Sequence, residues 1–252
     1  MFTVIKQWCS PHDRFVLGVE DIEMKQMNNI KTEAEFYGDL IYLPHVKNSY
    51  FSLTNRTIKS FQYILHQNYE FAYVLKCDDD TFIDIQRIAS ELQNRINQGQ
   101  FYWGAMVRGP VQTHGTFKEV TWTSCNDYLP YAFGGGYVLS RDLVHLLVEN
   151  EPYLKQYKSE DASVGVWLSA CNIERKHDAR FNTESGSKGC KNVFLITHKI
   201  SPEEMYSLHL SLVYSGVICG PTTSWHRKRG YLYNWTALPP SKKCCTRSFN
   251  VP

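Results

Sequence analysis

Short apolar runs alternate with longer amphipathic stretches along the chain. Phe15–Gly18 reads as a short buried strand and Leu40–Leu43 as another, with helix formers across Lys25–Tyr37 between them. Ser52–His66 predicts a helix whose Leu53, Ile58, Phe61, Ile64 and Leu65 make one apolar stripe. Phe71–Leu75 is apolar throughout, the pattern of a strand buried on both faces. There follow a helix over Phe82–Ile96, a strand over Phe101–Val107, a loop over Asn126–Gly136, and a strand running into a helix over Tyr137–Val148. Glu160–Ala170, with Val164, Trp167, Leu168 and Cys171 at helical spacing, predicts a helix, and Asn192–Thr197 a strand. Ser201-Pro202-Glu203-Glu204 places a capping Ser, a first-turn Pro and a Glu at the third position, which opens a helix through Tyr214. There is no internal repeat or obvious linker, so residues 1–252 read as one α/β domain. Strands alternating with helices predict an open, largely parallel sheet with helices on both faces, which binds ligands at the carboxyl ends of its strands.

Composition narrows the class. The chain has 252 residues, 43% of them hydrophobic and 21% charged, which excludes a disordered or fibrous protein. A formal charge of +2 gives no basic field that would argue for nucleic acid as a partner. No window approaches the roughly 18 consecutive apolar residues of a membrane span. No signal-peptide pattern opens the chain, which taken alone predicts a cytosolic protein. The eight cysteines point the other way. None forms a C-x-x-C pair, five lie in the last third, and Cys190 and Cys219 bracket a strand–helix unit that a disulfide would suit. Cys77 and Cys171 read as free thiols. Two N-x-T sequons, at Asn55 and Asn234, join the clustered cysteines in favouring a secretory lumen.

The candidate chemistry starts at Asp78-Asp79-Asp80, directly after the apolar run. Three adjacent carboxylates repel one another, and a hard divalent cation relieves that repulsion. The bland alternative is a solvated turn that caps the helix expected from Phe82, although one acid would suffice for a cap. Asp-x-Asp also opens haloacid-dehalogenase phosphatases, but Thr81-Phe82 breaks that pattern. Sugar-nucleotide transfer is the other reading, with the metal bridging a diphosphate. His198 ends a predicted strand and could complete an oxygen and imidazole ligand set. Glu160-Asp161 opens a helix, where an ionised carboxylate is favoured and could serve as a base or merely as a cap. Gly134-Gly135-Gly136 fits no phosphate loop, and either a close ligand approach or a tight turn would use it.

These blocks, in this order, resemble the family 31 inverting β-1,3-galactosyltransferases and N-acetylglucosaminyltransferases. The resemblance rests on Glu35–Ile41, Asn48-Ser49-Tyr50 with Leu53-Thr54, Val74–Asp80, Gly134–Ser140, Glu160–Gly165 and His198–Met205, and runs from about Val4 onward. Tyr128–Gly134, His177–Glu184 with Gly189-Cys190, and Tyr233-Asn234-Trp235 with Cys244-Cys245 are most similar to members that extend the proteoglycan linker. The resemblance implies a GT-A (Rossmann-like) fold, UDP-galactose as donor, and a galactosyl-xylosyl core protein as acceptor in heparan and chondroitin sulfate assembly. It implies Mn²⁺, with Mg²⁺ as the alternative, held by Asp80, His198 and Asp78. Asp161 would be the general base. Lys76, Asp78, Asp79, Gly134, Gly135, Gly136 and Glu160 would line the donor site. Cys190–Cys219 would be a disulfide, and Asn55 and Asn234 would be glycosylation sites. The implied location is the Golgi membrane, with a lumenal catalytic domain and an N-terminal anchor. Against the family pattern, the chain reads as lacking anchor, stem and first strand, which would leave a sheet neighbour unpaired. Asn48 stands where many members have Asp, and Ser52 where Asn is common. The alternatives are another hexosyl donor, N-acetylglucosamine above all, or a non-catalytic chaperone or lectin-like relative; such relatives lack the acidic triplet.

Overall fold

The structure is a computed structural model and describes residues 2–5, 12–67, 69–95, 98–115, 118–122, 126–184 and 188–220. In chain order the elements are β1 (Phe2–Ile5), β2 (His12–Gly18), α1 (Met24–Tyr37), β3 (Leu40–Leu43), α2 (Leu53–His66), β4 (Tyr73–Cys77), β5 (Thr81–Ile83) and α3 (Ile85–Gln93). They continue with β6 (Phe101–Val107), β7 (Tyr131–Ser140), α4 (Arg141–Glu149), α5 (Glu160–Leu168), β8 (Glu174–His177), β9 (Phe181–Asn182), β10 (Ile196–His198) and α6 (Pro202–Ser215). Among the described residues no helix is long and apolar enough to cross a membrane. Asn234, Cys9, Cys125, Cys244 and Cys245 lie outside the described residues.

The principal sheet has the order β3-β2-β1-β4-β7-β6-β8. It is mixed, which corrects the expectation of a largely parallel sheet. β2–β3 and β6–β8 are parallel, whereas β1–β2, β1–β4, β4–β7 and β6–β7 are antiparallel. Phe2–Ile5 of β1 lies between β2 and β4 and pairs antiparallel with both.

The apolar strands are sandwiched. Val74, Tyr102, Tyr137 and Leu139 face one core with Ile58, Phe61 and Ile64 of α2, Leu143 and Leu147 of α4, and Val164 of α5. Their alternates Tyr73, Leu75, Phe101, Trp103 and Val138 face a second core with Ile88 and Leu92 of α3. Burial on both faces is why these strands show no polar alternation. α5 is itself buried nearly all round, from Ala162 to Leu168, rather than along a single stripe.

Two local corrections shape the site. The three glycines belong to β7, not to a loop, and none has positive φ. The stretch expected to start a helix at Phe82 first forms β5, and α3 begins at Ile85 with Asp84 as its cap, accepting from Arg87 N at 3.2 Å. Asp84, and not the acidic triplet, therefore caps α3. β5 and β10 pair antiparallel in a second sheet, β5-β10-β9, with His198 opposite Thr81. That register carries His198 to the end of β4. α6 is held below it by the expected capping box and by a small core of Phe82, Ile200, Leu208 and Ile218.

Candidate metal and sugar-nucleotide site

Asp78 and Asp80 lie in the link between β4 and β5, each about a third exposed (36% and 35%). The backbone fixes this link, since Ile200 N donates to Asp80 O at 3.0 Å. His198 faces both acids, with Nε2 at 3.0 Å from Asp80 Oδ1 and 3.4 Å from Asp78 Oδ2. One ligand atom from each of the three falls within 4.8 Å of the others. Asp79 is exposed and does not join them. Its charge instead acts on Arg56.

The ring orientation decides what the trio suits. Nδ1 of His198 lies 3.0 Å from the Glu184 carbonyl, which can only accept, so Nδ1 carries the proton. In the neutral imidazole, Nε2 then presents a lone pair. It is buried and makes no hydrogen bond. A lone pair aimed at two carboxylate oxygens is repulsive, and a divalent cation between them removes the conflict. A carbonyl behind the far ring nitrogen is the usual support for a ligating histidine. The residues present therefore fit a divalent cation. Lys199, next in sequence, has φ 63° and pairs with Asp80 Oδ2 at 2.8 Å. Left-handed backbone at a non-glycine residue is strain of the kind that concentrates at functional sites.

Lys76 joins this trio to α5. It pairs with Asp78 Oδ1 at 2.8 Å and Glu160 Oε2 at 3.0 Å, and donates to the Gly134 carbonyl at 2.7 Å. Burial alone would raise the Asp78 carboxyl, but the Lys76 ammonium holds it well below the usual range. Burial works against the Lys76 charge, yet Glu160 and Asp78 lift its pKa above the ordinary value. Glu160 also accepts a hydrogen bond from the Tyr137 hydroxyl. Asp161 is partly exposed, and its Oδ2 accepts from Gly134 N at 2.9 Å while Oδ1 accepts from Ala162 N at 2.8 Å. Burial, then the neighbouring Glu160 charge, push Asp161 up to about 6 against those two N–H groups.

The glycines make room for protein groups. A Cβ on Gly134 would lie 3.3 Å from Asp161 Oδ2, one on Gly135 2.7 Å from the His198 ring, and one on Gly136 3.0 Å from Ile196. Close approach was one reading of the triplet. Here the groups that approach are the candidate base and a candidate ligand. Sequence reasoning missed Tyr137, Glu184 and Lys199. A tyrosine inside an apolar strand and a backbone carbonyl carry no local signal, and Lys199 shows itself only by its φ.

Cys190 and Cys219 form a disulfide with Cα atoms 5.7 Å apart, while Cys77, buried, and Cys171, half-buried, keep their thiols. Asn55 lies within α2, with Thr57 of its sequon buried.

A family model described as Galactosyltransferase matches residues 8–179, well over half of the chain. The chain therefore belongs to the galactosyltransferase family and is a glycosyltransferase. Mouse beta-1,3-galactosyltransferase 6 is 39% identical over 242 residues, 95% of this chain and 73% of that protein. Hydroxyproline O-galactosyltransferase GALT6 of Arabidopsis thaliana is 31% identical over 206 residues, 76% of this chain and 29% of that protein. Human UDP-GalNAc:beta-1,3-N-acetylgalactosaminyltransferase 2 is 29% identical over 181 residues, 71% of this chain and 35% of that protein. The family implies a nucleotide-sugar donor and a glycan acceptor. His198 lies beyond the matched residues 8–179, so its membership of the site rests on the geometry.

Proposed function

We propose that residues 1–252 form a single GT-A catalytic domain that moves galactose from UDP-galactose, with inversion, to the 3-hydroxyl of a galactosyl-xylose acceptor in the proteoglycan linker. The observation that carries this reading is the adjacency on β7. Gly134 packs on Asp161 and Gly135 on His198, so consecutive residues of β7 touch a carboxylate poised near neutrality and a candidate metal ligand. The similarity to mouse beta-1,3-galactosyltransferase 6 supports the choice of donor and linkage. The disulfide supports an oxidising lumen, for which the Golgi is the proposed site.

Asp161 is the general base. Its two backbone hydrogen bonds fix the carboxylate plane, and its ionised form takes the proton of the acceptor hydroxyl as that oxygen bonds to the anomeric carbon. The bond from that carbon to the phosphate oxygen breaks on the opposite side, and UDP leaves. Asp78, Asp80 and His198 would hold Mn²⁺ or Mg²⁺, which when bound neutralises charge on the departing diphosphate. Asp79, the glycines and the neighbouring backbone would border the donor.

A screen of UDP-sugars on a galactosyl-β-xyloside, with Mn²⁺ or chelator, tests the proposal. It expects a β-1,3-linked product from UDP-galactose with Mn²⁺ alone. Transfer of N-acetylglucosamine or N-acetylgalactosamine instead would replace the donor. Equal product in chelator would remove the metal, and UDP binding without transfer would favour a non-catalytic relative.

A further inference from the structure

Lys76 has no proton left for a ligand. It is 6% exposed, and its three N–H groups have three acceptors within 3.0 Å, on Asp78, Gly134 and Glu160. Glu160, 5% exposed, meets Lys76 through Oε2 and Tyr137 through Oε1. Gly134 gives its carbonyl to Lys76 and its N–H to Asp161. One side chain thus ties together a candidate metal ligand on the β4–β5 link, the strand β7 and the helix α5 that carries Asp161.

Resting on the reading of this site as a metal-dependent transferase, we infer that Lys76 and Glu160 are positioning residues. They set the spacing between Asp78 and Asp161 and touch neither donor nor acceptor. This departs from the donor-lining role that the family resemblance implies for them. A buried ion pair is a poor source of stability, since apolar replacements of similar volume are often neutral, so its place at a three-element junction points to geometry as its use.

Two variants test this: Lys76→Met, and the double variant Lys76→Met/Glu160→Gln. The single change strands the Glu160 carboxylate in the interior and lowers Tm. The double change removes both charges together, and Tm returns close to wild type. UDP affinity by calorimetry at saturating Mn²⁺ and the donor KM then stay within about threefold of wild type. The kcat falls on the order of a hundredfold, the loss expected when reacting groups are misplaced by about 1 Å. A tenfold weaker UDP affinity with kcat preserved would make Lys76 a donor contact and overturn the inference. Activity that returns together with Tm, or a double variant as unstable as the single one, would assign the pair to folding and overturn it as well. Failure of the underlying reading shows separately, as a wild-type chain that neither binds UDP nor transfers sugar.

Discussion

Gly135 and His198 occupy one space: a Cβ on the glycine would lie 2.7 Å from both Cγ and Nδ1 of the imidazole. It would also meet the Thr183 carbonyl at 2.9 Å, so the ring has no easy retreat. Gly135→Ala should push His198 off the two carboxylates while leaving the sheet formed. The expected result is at least a tenfold rise in the Mn²⁺ concentration for half-maximal activity, measured by metal titration, with the far-ultraviolet circular dichroism unchanged. An unchanged titration would show that the ring is not held by that contact.

Asp161 should set the acid limb of the rate profile. Burial and Glu160 raise its pKa to about 6, so kcat/KM should climb with pH through about 6 and then level. Asp161→Asn should remove the limb and cost about 10²–10⁴ in kcat. The stability sign is opposite to that of a salt-bridged carboxylate. With the folded pKa above the ordinary 3.8, the group's contribution is most favourable below about 3.8 and declines as pH rises to about 6. At pH 7.5 the Asn variant should therefore be at least as stable as wild type by urea denaturation.

Gly165 lets α5 lie directly on β7. A Cβ there would stand 2.3 Å from the Tyr131 Cβ and 2.6 Å from the Pro130 carbonyl. Gly165→Ala must displace the helix that begins with Glu160 and Asp161. Denaturation should show a loss of about 1–3 kcal/mol from overpacking, and activity should fall with it. A fully stable, fully active variant would contradict the close packing.

The Cys190–Cys219 disulfide closes a segment of 29 residues that contains β10 and α6. Replacing both cysteines by Ser should cost about 2–4 kcal/mol in non-reducing denaturation, chiefly by loosening the unfolded-state constraint. A change below about 0.5 kcal/mol would mean that the capping box and the Phe82–Leu208 core hold α6 unaided.

What the chain disclosed beforehand follows from where its signals are local. The α2 stripe, the strand Phe101–Val107 and the α6 capping box all stand where their patterns put them. Strand direction was not readable, because strands buried on both faces look alike in parallel and antiparallel sheets, and no hairpin turn joins β4 to β7. β8 was missed because Glu174–His177 is an edge strand made of charged residues, with Lys176 laid over the Trp103 ring. The glycines resembled a loop because β7 has no side chains there to show an alternation. In the site, Asp78, Asp80 and His198 were identifiable by residue type and family resemblance. The Glu184 carbonyl that orients His198 and the Lys76 contacts across 58 and 84 positions exist only once the chain has folded.

Calorimetric titration of UDP into the wild-type chain, with Mn²⁺ and then with excess chelator, bears most directly on the central claim that Asp78, Asp80 and His198 grip a cation that in turn grips the diphosphate. The expected result is saturable binding with Mn²⁺, lost in chelator and weakened at least tenfold in Asp80→Asn and His198→Ala. UDP binding of equal strength in chelator, or in those variants with Mn²⁺ present, would contradict it.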